Sequence, residues 1–120
     1  GGWYAARGLY RSEELGGLSC QRFCEAVRAE GFSICRQGAN PPLHVHPLFH
    51  TADVFRQGQP TMLAFGQRDV RQGPGSLPVT ENVINTAFSL PWFKKDRPDD
   101  IAEYAAAFRK VAEHAAEIMH

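Results

Sequence analysis

The clearest pattern lies near the C-terminal end, where Ile101, Tyr104, Ala105, Phe108, Val111, Ala112, Ala115 and Ile118 recur at three- and four-residue spacings. That period puts them on one face of an α-helix of about five to six turns. Asp96 or Arg97 stands where a cap belongs, Pro98 suits the first turn, and Asp99 and Asp100 complement the positive end of the helix dipole. A second helix starts at Ser19, whose hydroxyl can accept from an orphan backbone N–H, with Leu18 and Phe23 at the positions of a hydrophobic staple. It carries Phe23, Ala26, Val27 and Glu30 along one side, and Gly31 stops it. Short alternating stretches at residues 7–11, 32–35 and 87–90 predict strands, the last ended by Pro91, and residues 78–85 predict a short helix.

Between these elements the pattern fades. Residues 36–80 hold six of the eight prolines and show little period beyond a helical turn within 48–55 and a turn at 72–76. A long irregular segment in a small domain usually carries function or lies over a neighbour. The expected fold class is α+β: a small antiparallel sheet with two main helices on one face, and a long irregular segment 36–80, all in one small domain spanning 1–120.

Composition narrows the function. An apolar share of 43% is enough for a core. Lys and Arg total 13, as do Asp and Glu, so net charge is zero and no basic face predicts a nucleic-acid partner. No apolar run has membrane-spanning length, and no signal peptide is seen. Cys20, Cys24 and Cys35 are too few, and odd in number, for a secreted disulfide scaffold, so a cytoplasmic setting is expected. The chain starts Gly1-Gly2-Trp3 without Met, which predicts a truncated, processed or excised piece.

The candidate chemistry sits in "PPLHVHPLFH", residues 41–50. His44 and His46 are two apart, so in an extended segment they would share a side, as two ligands of one metal do. With Gly38 six residues before His44, the outline approaches a cupin motif. The glutamate of that motif is missing, Pro41, Pro42 and Pro47 oppose strand pairing, and the helical second half does not suit a many-stranded barrel. Zinc held by Cys20, Cys24 and either Cys35 or the histidines is a looser possibility, set against the tendency of cysteine to pack as a small hydrophobe. No metal is expected. No Gly-x-Ser-x-Gly elbow or phosphate loop is present, and no catalytic residue is assigned.

Taken in order, "GGWYAARGLYRSEELGGLSCQRFCEAVRAEG", "NPPLHVHPLFHTADVF", "GSLPVTENVINTAFSLPWF" and "DRPDDIAEYAAAFRKVAEHA" resemble the C-terminal part of the DegT/StrS family of pyridoxal-phosphate-dependent aminotransferases, which includes amino-sugar and aminocyclitol transaminases. The resemblance covers nearly the whole chain. Its most specific pieces are the Pro-Pro-Leu-His-x-His-Pro-Leu-Phe block and the Leu-Pro-x-x-Glu…Leu-Pro-Trp-Phe block. It implies a small α+β domain that folds over the mouth of an active site built elsewhere, in an upstream large domain that holds the cofactor. It also implies a sugar or amino-acid substrate, with His44 and His46 as candidate substrate-binding residues; the alternative is that both are solvated on a proline-stiffened loop. The family's Schiff-base lysine motif is absent: Lys94, Lys95 and Lys110 are the only lysines and none matches it. The chain is therefore not expected to bind pyridoxal phosphate or be catalytically competent alone.

Two other functions stay open: a stand-alone small-molecule-binding or protein-interaction module, and a zinc or cupin-like metal-binding domain. Phe49, Val54, Phe55, Met62, Leu63 and Phe65 in the irregular segment, with Trp92 and Phe93 after Pro91, are more large apolar residues than the clear elements can bury. They predict a surface at 48–65 and 91–93 covered by the upstream large domain or by a second copy in a two-fold dimer.

Overall fold

A computed structural model of the chain describes residues 4–64 and 68–119, apart from the side chains of Met62 and Ala64. Contacts divide it into two compact units, Gly1–Ala39 with Ile84–His120, and Asn40–Val83.

In the first unit, β1 (Arg7–Leu9) leads to a 3-10 turn at Ser12–Leu15 and then to α1 (Cys20–Ala29). Ser19 caps α1 as its chemistry predicts, its hydroxyl accepting from the Arg22 N–H at 3.2 Å, and Leu18 and Phe23 are both buried in the same cluster. The helix ends before Gly31, whose φ of 101° suits glycine. The predicted strand at 32–35 is instead a turn. Cys35 N–H bonds back to the Phe32 carbonyl at 3.2 Å, and the Arg28 guanidinium donates to the Cys35 carbonyl at 3.0 Å. Alternation in those residues reflects one buried side chain, Cys35, in a capped turn.

The second strand, β2 (Ala87–Ser89), pairs antiparallel with β1, with Arg7 opposite Ser89, Gly8 opposite Phe88 and Leu9 opposite Ala87. Its other edge is also occupied: Ser89 N–H donates to the Arg36 carbonyl at 2.9 Å, Gly38 N–H to the Ala87 carbonyl at 2.8 Å, and Gln37 bridges Phe88. The long C-terminal helix is interrupted. α5 runs Pro98–Glu113 and resumes as Ala115–Ile118 after His114, whose ring Nδ1–H donates to the Lys110 carbonyl at 2.9 Å beside the same residue's backbone N–H. Arg97 occupies the N-cap without a side-chain cap bond and pairs with Asp100 at 2.6 Å.

The sheet is too small to stand alone, and an aromatic cluster holds it. The Phe23 ring of α1 lies 5.2 Å from Tyr10, 6.0 Å from Phe88 and 5.8 Å from Phe108 of α5, and Phe88 stacks on Phe108 at 5.7 Å. Both main helices thus meet the sheet through the Phe88 ring, as the expected α+β layering requires. Each such ring pair adds about 0.5–1.5 kcal/mol beyond area burial. Val27 and Cys24 are fully buried beneath it. The Tyr10 hydroxyl donates to the Leu18 carbonyl at 2.7 Å, and burial pushes its pKa up to about 12. At the rim, Lys110 of α5 pairs with Glu30 at 2.7 Å.

The second unit has only short elements: a 3-10 turn at Leu43–Val45, α2 (Pro47–Thr51), α3 (Thr61–Ala64) and the first turns of α4 (Pro78–Thr86), whose last turn belongs to the first unit. Side chains do much of the fastening. Asp53 accepts from the N–H groups of Gln57 and Gly58 at 2.8 and 2.7 Å, and the Thr61 hydroxyl accepts from Val54 N–H at 2.8 Å. No helix among the described residues is long and apolar enough to cross a membrane.

A Cβ built at Gly8 would lie 2.2 Å from Cζ of the Phe88 ring, far closer than contact allows. Gly8→Ala must therefore push that ring off Phe23 and Phe108, and overpacking of this kind costs about 1–3 kcal/mol. The expected result is a lower urea midpoint at unchanged slope; an unchanged midpoint would show that the ring does not bear on Gly8.

Candidate functional site

Two prolines and a histidine shape the loop that carries the site. Pro42 precedes the Leu43–Val45 turn, and Pro47 opens α2, where its missing N–H costs nothing. The His46 ring is the N-cap of that helix, with Nδ1 accepting from Leu48 N–H at 3.1 Å. His50, on α2, donates Nε2–H to the His44 carbonyl at 2.6 Å. His44 is turned the other way: its side chain is 9% exposed, and Nε2 lies 2.9 Å from Glu81 Oε1. A carboxylate acceptor at Nε2 fixes the proton there and leaves Nδ1 as the acceptor of the neutral ring.

Glu81 sits in the first part of α4 and reaches back over its own N-terminus. Its two oxygens accept from Gly75 N–H at 2.9 and 2.8 Å, and Oε1 also accepts from Leu77 N–H at 3.1 Å. The Gly75 amide first, then the His44 ring and the Leu77 amide, hold its pKa below the ordinary glutamate range. One carboxylate therefore joins the His44 loop, the Gly75 turn and α4.

A pocket of about 290 Å³ opens beside this pair, lined by Leu43, His44, Phe49, His50, Val70, Arg71 and Gln72. Its apolar walls and few polar atoms suit a small organic ligand. Arg71 is positioned from both sides: Nε and one terminal nitrogen grip Asp69 at 3.0 and 2.8 Å, and the other donates to the His50 carbonyl at 3.1 Å. The side-chain and backbone hydrogen bonds from Arg71 bring the Asp69 pKa down to about 2.

Of the two residues expected to bind substrate, the structure brings His44 to the pocket and places His46 at the cap of α2. The three histidines face different partners, and no group of three or more His, Cys, Asp or Glu among the described residues is placed to hold a metal ion. Sequence reasoning missed Glu81 and Arg71. Glu81 was signalled by its place in the Leu-Pro-x-x-Glu block, an acid near a helix start; Arg71, in the irregular segment, carried no signal.

Pyridoxal phosphate needs a lysine amine for its aldehyde, a carboxylate against its ring nitrogen and donors for its phosphate. Lys110 is engaged by Glu30, Lys94 lies exposed 5.8 Å from the centre of the Trp92 ring, and Lys95 is exposed beside it. These lysines do not fit the Schiff-base role. No protein-family model, curated protein or solved structure matches the chain.

An ordinary glutamate titrates near about 4.3, and Glu81 is held lower in the folded chain. The stability it confers is full above the unfolded value and is lost as pH falls through the folded one. The amide resonances of Gly75 and Leu77, followed by NMR during acid titration, are expected to move together with a midpoint below about 4.3. A midpoint at or above that value would mean the bonds do not form in solution.

Proposed function

We propose that the chain is the small domain of a pyridoxal-phosphate-dependent aminotransferase of amino-sugar or related biosynthesis, covering the substrate mouth of a catalytic large domain. The observation that carries this reading is the His44–Glu81 contact. It joins the two most specific blocks of the resemblance through residues that lie 37 apart in the chain. A histidine oriented by a carboxylate at the edge of a pocket of small-molecule size is suited to accept from a hydroxyl of a sugar or an ammonium group of an amino acid. In this reading His44 binds and orients substrate through Nδ1, Glu81 positions it, and the residues of α2 close one wall. The large domain supplies the cofactor, whose chemistry when bound is transfer of an amino group.

The proposal also gives the exposed apolar side chains a role. Leu48, Phe49, Val54 and Phe55 are exposed in the second unit, Val54 at 66%, and Trp92 in the first at 53%. The large domain, or a second copy, covers them in the assembled enzyme, in the cytoplasm. Phe65 and the Met62 side chain, expected in the same surface, lie outside the described residues.

The test uses the natural gene product. Its intact mass is expected to exceed that of the 120 residues, and borohydride reduction in the presence of pyridoxal phosphate should label one lysine outside them. In that protein His44→Ala is expected to lower kcat/KM for the amino-sugar reaction by about tenfold or more, the loss of one polar contact to substrate. A native chain no longer than this one, or labelling of Lys94, Lys95 or Lys110, would favour a separate binding module.

A further inference from the structure

The geometry points to a docking groove for an extended acidic peptide, added as a strand to the outer edge of β1. In the β1–β2 ladder Leu90 N–H donates to the Ala6 carbonyl at 3.1 Å and Tyr10 N–H to the Thr86 carbonyl at 2.6 Å. With Arg7 opposite Ser89 in that register, the ladder bonds fall on alternate residues, and the peptide groups of Arg7 and Leu9 point away from β2. Among the described residues the sheet has two strands, so no strand pairs with that side of β1. No other hydrogen bond among the described residues takes the N–H or C=O groups of Arg7 and Leu9. Leu9 is 72% exposed, and an open edge of this kind is a template for another chain.

Arg7 belongs both to this edge and to a groove of about 790 Å³ that also takes in Trp92, Phe93, Lys94, Lys95 and Ile101. Phe93 is anchored edge-on against Tyr104 of α5, which packs on Phe32. Trp92 and Ile101 are 53% and 50% exposed, apolar surface of the kind that anchors interfaces. The groove is cationic in a chain whose net charge is zero. Arg97 is taken by Asp100 at 2.6 Å, but Arg7, Lys94 and Lys95 have no carboxylate partner among the described residues, and Asp96 is the one acid in the lining. Arg7 donates from one terminal nitrogen to the Gly38 carbonyl at 3.1 Å, which holds the guanidinium in place with its other donors unspent.

These features select the occupant. The edge calls for an extended main chain, the cations for carboxylates, and Trp92 for an apolar side chain. A segment that alternates acidic and apolar residues supplies all three. A second copy of this chain does not, because a two-fold contact through the groove brings Lys94 and Lys95 of the two protomers together, like charge against like. A small molecule fits less well, since Arg7, Trp92, Lys94, Lys95 and Ile101 are all exposed, whereas a small-ligand site encloses most of its ligand. In the aminotransferase reading the segment belongs to the large domain, but the chemistry of the groove does not depend on that reading.

The test titrates the folded chain with the blocked peptide acetyl-Glu-Phe-Glu-Val-Glu-amide at low salt and follows amide and indole resonances by NMR. Saturable shifts are expected at the Arg7 and Leu9 amides and at the Trp92 indole. Affinity should fall at least about tenfold for the Lys94→Glu, Lys95→Glu double variant, for Trp92→Ser, and for the same peptide methylated on alternate backbone nitrogens. No shifts, equal binding of a peptide with Lys in place of Glu, or equal binding by the double variant or of the methylated peptide would each overturn the proposal. So would equal shifts from free glutamate, which would place a small anion in the groove, or self-association abolished by Trp92→Ser, which would place a second copy there. A native chain no longer than this one would end the aminotransferase reading and leave a positive peptide result standing.

Discussion

A single carboxylate organises the part of the molecule that has the least regular structure. Glu81 accepts from two backbone amides and from the His44 ring, so it replaces the ladder bonds that short elements cannot supply. Unpaired amides at a helix start and in a glycine turn would otherwise need other acceptors. The α4 N-terminus favours the charge as well. Proline at positions 42, 47 and 78 lowers the freedom of the unfolded loop, and Asp53 and Thr61 fasten the rest with side-chain bonds to backbone N–H groups. This economy of side-chain anchors lets a segment without a large core present a pocket.

The first unit is organised by different physics. Its two strands contribute few bonds, and β2 gains most of its order by being paired along both edges. Burial of Phe23, Phe88, Val27 and Val111 supplies the driving force, and the absence of a side chain at Gly8 leaves space for the Phe88 ring. The polar groups drawn into this core are satisfied locally, as in the Tyr10–Leu18 bond.

Much of this was legible in the sequence where a local rule applied. The three-and-four spacing of α5, the Ser19 cap with its Leu18–Phe23 staple, and the stretch from Pro78 through Ser89 all depend on neighbours in the chain. The break at His114 was not legible, because an imidazole that bonds the Lys110 carbonyl resembles any other surface residue in a periodic pattern. The strand expected at 32–35 failed for a related reason: Arg28 captures the Cys35 carbonyl, an interaction no alternation of apolar residues encodes. At the site, the proline-bounded histidine loop stood out, but the roles of its histidines did not. His44 and His46 look equivalent in sequence, and only the long-range partner Glu81 separates an oriented ring from a helix cap.

Hydrogen exchange on Glu81→Ala tests the central role of this carboxylate most directly. The account predicts that protection falls together at Gly75 and Leu77 and at Val45 and His46, whose amides close the turn beside His44, while Val27 in the first unit keeps its protection. Loss confined to Gly75 and Leu77 would contradict it, because the His44 loop would then be held by something other than Glu81.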